Sequence, residues 1–101
     1  MNQFRLSARI TEMGAVRHTP AGLPALDVRL EHESRLEECG SPRQVHLALR
    51  AIALGAVAEA LARQPVGAAG GFIGFMASPR NARSVVFHIQ DFQPDQIQGG
   101  L

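Results

Sequence analysis

The chain has 101 residues, a size that holds one modest hydrophobic core and leaves no room for a second domain. Hydrophobic residues make up 46% and charged residues 19%, which excludes a disordered chain, and no apolar run approaches the roughly 20 residues needed to cross a bilayer. The net charge is only +1, which excludes a bulk electrostatic pull toward nucleic acid, so any such binding must come from local patches.

The stretch from Met1 to Arg9 carries no apolar core of the signal-peptide kind, and Cys39 is the only cysteine, so an intramolecular disulfide is excluded. A lone thiol suits a reducing compartment, and a cytoplasmic location is expected. All ten basic residues are arginine and none is lysine. Arginine offers a flat fork of donors that grips phosphate and stacks on bases; a coding bias toward GC would give the same count.

In chain order, Phe4 to Thr11 alternates apolar and polar residues with period two, the pattern of a half-buried strand. Glu12 to Gly22 reads as a loop closed by the turn signal Thr19-Pro20-Ala21-Gly22. Leu26, Val28 and Leu30 alternate with Asp27, Arg29 and Glu31 in a second strand. Glu33 to Arg43 reads as the next loop because it holds Gly40 and Pro42. A third strand follows from Gln44 to Arg50, with Val45, Leu47 and Leu49 on one side.

The period then changes. Leu54, Val57, Ala58 and Leu61 recur at helical spacing, so a helix is predicted from about Ile52 to Arg63, ending at Pro65. Its single apolar stripe suits the plug at one end of a barrel. Gly70 to Met76 reads as a fourth strand whose glycines provide curvature, and Ser84 to Phe92 as a fifth. Five strands with one helix between the third and fourth is the element order of the OB fold, a mainly β, closed Greek-key barrel. The barrel is expected over residues 1–94, with a frayed tail that begins near Gln93 and occupies 95–101.

Catalytic patterns are missing. His18, His32, His46 and His88 fall on four different elements, and none is closely spaced with another histidine or with Cys39, so no zinc site is expected. Glu31 and Glu33 share a strand face, as an acid–base pair would, but a solvated surface cross-paired with Arg5 and Arg9 is the better account of them. Gly70, Gly71 and Gly74 lack the Lys-Ser/Thr and the following helix of a phosphate-binding loop. No enzyme, no metal and no other cofactor is predicted. Among the phenylalanines, Phe72, Phe75, Phe87 and Phe92 are candidates for base stacking, although most are expected in the core.

What remains is a set of cations: Arg17 and His18 in the first loop, Arg43, His46 and Arg50 along the third strand, and Arg80 with Arg83 in the last loop. In an OB barrel those three regions form one face, the face that takes oligonucleotides.

His18-Thr19-Pro20-Ala21-Gly22-Leu23-Pro24, then Leu30-Glu31-His32, Glu37-Glu38-Cys39-Gly40 and Arg43-Gln44 hold, in order and spacing, the pattern of a known family. Gly71-Phe72-Ile73 and His88 fit it as well. The chain resembles the primosomal replication protein N family, dimeric OB proteins of the bacterial replication-restart primosome that are themselves similar to single-stranded DNA-binding proteins. The resemblance implies DNA contacts at Arg17, Arg43, His46 and the last loop, a homodimer, and contact with a primosomal helicase and other primosome proteins. His46 stands where familiar members have a tryptophan, Ser41 where they have an aromatic and Glu33 where they have a basic residue. The expected function is a DNA-binding adaptor that grips single strands without sequence preference. A general single-stranded DNA-binding protein and a pure protein-interaction module remain the alternatives. The DNA-binding residues expected are Arg17, Arg43, His46, Arg50, Arg80 and Arg83.

Overall fold

A computed structural model describes residues 1–95. Its elements in chain order are β1 (Phe4–Met13), β2 (Arg17–His18), β3 (Pro24–Glu38), β4 (Ser41–Leu54), α1 (Ala56–Ala62), β5 (Ala69–Ala77) and β6 (Val86–Pro94). The first part of β1 pairs antiparallel with β5, and its second part pairs with β3 after a register shift between Ile10 and Glu12. β3 and β4 form an antiparallel hairpin, as do β5 and β6, while Ala51–Ala53 of β4 run parallel to Phe87–Ile89 of β6. The pairings therefore close a ring, β1-β5-β6-β4-β3-β1, which is the expected barrel. No helix among the described residues is long and apolar enough to cross a membrane.

The period-two residues of the strands meet inside this ring. Ile10, Leu26, Leu30, Phe72 and Phe87 are fully buried, and Ala8, Val28, Ala51, Ala53 and Ile89 pack with them. The helix closes one end, contributing Ala58 and Leu61 to the same core. Burying a Leu, Ile or Phe side chain contributes about 1.5–3 kcal/mol, so this set is the main source of stability. All five expected strands are present, with only their ends moved.

Larger corrections concern four segments. The helix is shorter than the expected Ile52–Arg63, because Ile52 to Leu54 continue β4 and only Ala56–Ala62 is helical. Gly55, at φ 74°, turns the chain from strand to helix and donates its N–H to the Pro24 carbonyl, 2.9 Å away. Few side chains tolerate that backbone. Leu54 therefore matches the helical spacing only by coincidence, and it is exposed.

The loop expected over Glu33–Arg43 is instead the far end of a long β ribbon, paired from Ala25 with Leu54 out to Glu38 with Ser41. Its turn is the two residues Cys39 and Gly40, with φ of 53° and 77°, the positive pair that fits the twist of a tight hairpin. His32 ties the base of this ribbon to β1. Its Nδ1 lies 2.6 Å from the Ser7 carbonyl oxygen and its Nε2 lies 2.9 Å from Ser34 Oγ.

In the first loop, Arg17 and His18 form the short β2 against Ala25 and Pro24. At the other terminus, Gln93 and Pro94 belong to β6, and Asp95 donates its N–H to the Ala69 carbonyl at 3.0 Å. Of the tail expected over 95–101, residues 96–101 lie outside the described residues.

The glycines of β5 have a steric purpose. A methyl at Gly74 would run into the His88 carbonyl oxygen at the register shift of the β5–β6 ladder, and one at Gly70 would meet Gln93 and the Phe92 ring. At Gly71 a methyl meets nothing. Gly74→Ala should therefore cost about 1–3 kcal/mol or more in urea unfolding, as overpacking does, while Gly71→Ala should stay within about 1 kcal/mol. Equal stability of the two variants would show that the close approach at Gly74 is not a constraint.

Candidate nucleic-acid interface

On β3 and β4 the inward positions are apolar, so the alternate positions face out: Asp27, Arg29, Glu31 and Glu33 on β3, and His46, Arg50 and Ile52 on β4. The register sets Arg29 directly opposite Arg50. Like charges placed opposite on a sheet repel, which favours an anion between them, while on its other side Arg29 stands opposite Glu12 of β1. Among the described residues neither arginine makes an ion pair. Sequence reading placed Arg29 among charges cross-paired with their neighbours, and across β1 and β3 it does stand opposite Glu12, as Glu31 stands opposite Arg9. Only the register, which a single strand cannot reveal, puts it beside Arg50.

Arg50 lines a groove of about 330 Å³ together with Arg17 and Asp27, with Ile52 and His88 at the barrel seam, and with Pro79 of loop 78–85. A shallower depression beside it is lined by Arg29 and the same Arg50 together with the carboxylates of Glu12 and Asp27. Both loops thus contribute to this groove, and Arg50 lies between them. Arg80 and Arg83 are exposed on the same loop as Pro79.

Arg17 is held rather than free. Its Nε and Nη2 donate to the two Asp27 carboxylate oxygens at 2.9 and 3.2 Å. These hydrogen bonds, and the attraction of opposite charges behind them, raise the guanidinium above its ordinary pKa, so it stays charged at any accessible pH. The fork is oriented toward the groove wall, but Asp27 offsets much of its charge.

The other candidates separate. His46 Nε2 lies 3.5 Å from Glu31 and 4.0 Å from Glu33, so this end of the outer face is acidic. Arg43 pairs in register with Leu36 and shares a face with Val45 and Leu47, the opposite face of the ribbon from His46 and Arg50. It donates to Glu38 across the arm. Arg17 and Arg50 are therefore brought together, Arg80 and Arg83 follow on the exposed loop whose Pro79 lines the same groove, and Arg43 and His46 lie apart on the arm. Among the described residues no cluster of His, Cys, Asp and Glu is arranged to hold a metal ion.

Comparison with known proteins agrees with this architecture. Residues 2–91 match the model described as another single-strand binding protein family. The replication restart protein PriB of Bordetella pertussis is 47% identical over 102 residues, covering 100% of this chain and 94% of that protein. A solved PriB structure from Ralstonia solanacearum superposes with a TM-score of 0.87 at 30% identity, covering 95% of this chain and 99% of that one. The wild-type single-stranded DNA binding protein of Thermus aquaticus shares the fold, with a TM-score of 0.78 at 24% identity, covering 98% of this chain and 52% of that one. By its matched model and its full-length relatives, the chain belongs to the single-strand binding protein family and groups within it with the replication restart PriB proteins.

Proposed function

We propose that this protein binds single-stranded DNA through the groove between loops 14–23 and 78–85, and that it serves replication restart as a DNA-binding adaptor. The observation that carries this reading is that Arg50 makes no ion pair and lines the groove that both loops flank, with Arg29 opposite it in the adjoining depression. Glu12 stands opposite Arg29 on its β1 side, but on the β4 side Arg29 meets a second guanidinium, and two adjacent forks suit a phosphate backbone, which supplies regularly spaced anions. Phosphate contacts read no sequence, so the binding is without base preference. The protein works by holding DNA and partners, not by catalysis. Membership of the PriB group supports the role in restart, and a resemblance to dimeric primosome proteins supports a cytoplasmic homodimer that bridges a restart helicase to other primosome proteins.

Titration of labelled oligo-dT at several salt concentrations tests the core of the proposal. Each phosphate neutralised on a single strand contributes about −0.7 to the slope of log K against log salt. Arg80→Ala with Arg83→Ala should flatten that slope and weaken binding, while Arg63→Ala, at the end of α1, should bind like the parent. Identical curves for the loop double variant and the Arg63 variant would remove loop 78–85 from the interface.

Asp27→Asn gives a change of opposite sign. Removing the carboxylate that offsets Arg17 should tighten oligo-dT binding about threefold at low salt, the Coulomb effect of one nearby charge in a wet groove. Unchanged or weaker binding would mean that Asp27 contributes only by orienting Arg17. For the assembly, sedimentation should give a dimer mass at tens of micromolar protein, and a pull-down on forked DNA should retain the restart helicase of the same organism. A monomer mass, or no retention, would confine the protein to the plain DNA-binding alternative.

A further inference from the structure

The register carries a second row of outward residues across the barrel seam. Asp27 of β3 pairs with Ile52 of β4, Ile52 with His88 of β6, and His88 with Phe75 of β5. The Phe75 and His88 rings are stacked, their centroids 4.8 Å apart and their planes within 12°. Both are half-buried, and neither belongs to the buried core. Ile52 and His88 line the arginine groove and also a neighbouring groove of about 350 Å³, whose other walls include Leu54, Val57, Phe75 and Gln90. The two depressions are therefore one track. Its first half carries Arg17 and Arg50, and its second half carries no acidic residue and ends on an aromatic stack.

We infer that the Phe75–His88 stack is a base-stacking platform, which takes a nucleobase of a strand whose phosphates lie at Arg50 and Arg29. This inference rests on the DNA-binding reading above. Adjacent strands lie about 5 Å apart, so Phe75 is about 10 Å from Ile52 across the sheet, a span of roughly three stacked nucleotides. Any base presents a π-face, so stacking on such a platform adds affinity without adding sequence preference. His88 holds the Phe75 ring in place and enlarges the stacked surface. Phosphates on the arginines and bases on the rings is the division of labour that the polar and apolar halves of the track match.

Two oligonucleotides of equal length separate base from backbone: oligo-dT, and an abasic deoxyribose-phosphate strand. Phe75→Ala should weaken oligo-dT binding about fivefold or more, leaving the salt slope and the affinity for the abasic strand as in the parent. The chain has no Trp and no Tyr, so Phe75→Trp introduces a single strong emitter at the platform and also serves as the conservative variant. Its emission should be quenched by oligo-dT and not by the abasic strand, at near-parental affinity. Equal binding of oligo-dT by parent and Phe75→Ala, or equal losses on both strands, would overturn the inference while the DNA-binding reading stands. A parent that binds neither strand would overturn both. Sedimentation of the Phe75→Ala variant provides a further check, since a changed mass with unchanged DNA binding would assign the rings to contact between copies of the chain.

Discussion

Three register pairs hold the barrel shut, and most other features of the molecule depend on them. Where β4 runs parallel to β6, Ala51 stands opposite Phe87 and Ala53 opposite Ile89, so that small side chains on one strand accommodate large ones on the other. All four are buried. The parallel ladder is too short to be held by its hydrogen bonds alone, and it persists because these inward side chains fill the core at close-packed density. The middle pair, Ile52 and His88, necessarily points the other way. The closure that completes the core therefore also places an apolar step on the outer surface, between the arginines of β3 and β4 and the stacked rings of β5 and β6.

The tightness of the ring has a steric side as well. β5 lies between β1 and β6 and has to bend while paired with both, and glycine stands where its backbone is pressed by the neighbouring strand. Gly74 faces the His88 carbonyl and Gly70 lies beneath the Phe92 ring, which in turn stacks on Phe72 at 4.6 Å. The curvature and the aromatic packing are thus one arrangement, since the rings occupy space that side chains at those glycines would need.

Much of this was legible in the residues. Period-two alternation in Phe4–Thr11, Leu26–Glu31 and Gln44–Arg50 located three strands and named their inner faces, because a half-buried strand imposes that pattern directly. The ribbon from Glu33 to Arg43 was not legible, since beyond His32 its side chains leave the core and lose the alternation that burial enforces, while Pro42 and Gly40 resemble a loop. Val57, Ala58 and Leu61 located the helix, but Ala51 and Ala53 are apolar on a strand whose outer residues Ile52 and Leu54 are apolar too, so the boundary between the periods is blurred. The proposed binding face was legible as a set of loops and strands and only partly as residues. Arg50 and the two loops come together, whereas Arg43 is turned to the other face of the ribbon and Arg29 becomes visible only once the β3–β4 register is known.

The facing guanidiniums of Arg29 and Arg50 also tie the molecule's folding to its ionic surroundings. Dissolved salt shortens the range over which the two cations feel each other, to about 10 Å at 0.1 M and less above it, and so relieves a repulsion built into the empty protein. The same ions compete for the site that a polyanion would fill. At this pair, ionic strength therefore relieves the repulsion between the two arginines and opposes the complex, so one change of salt acts in opposite directions on the bare face and on a bound strand.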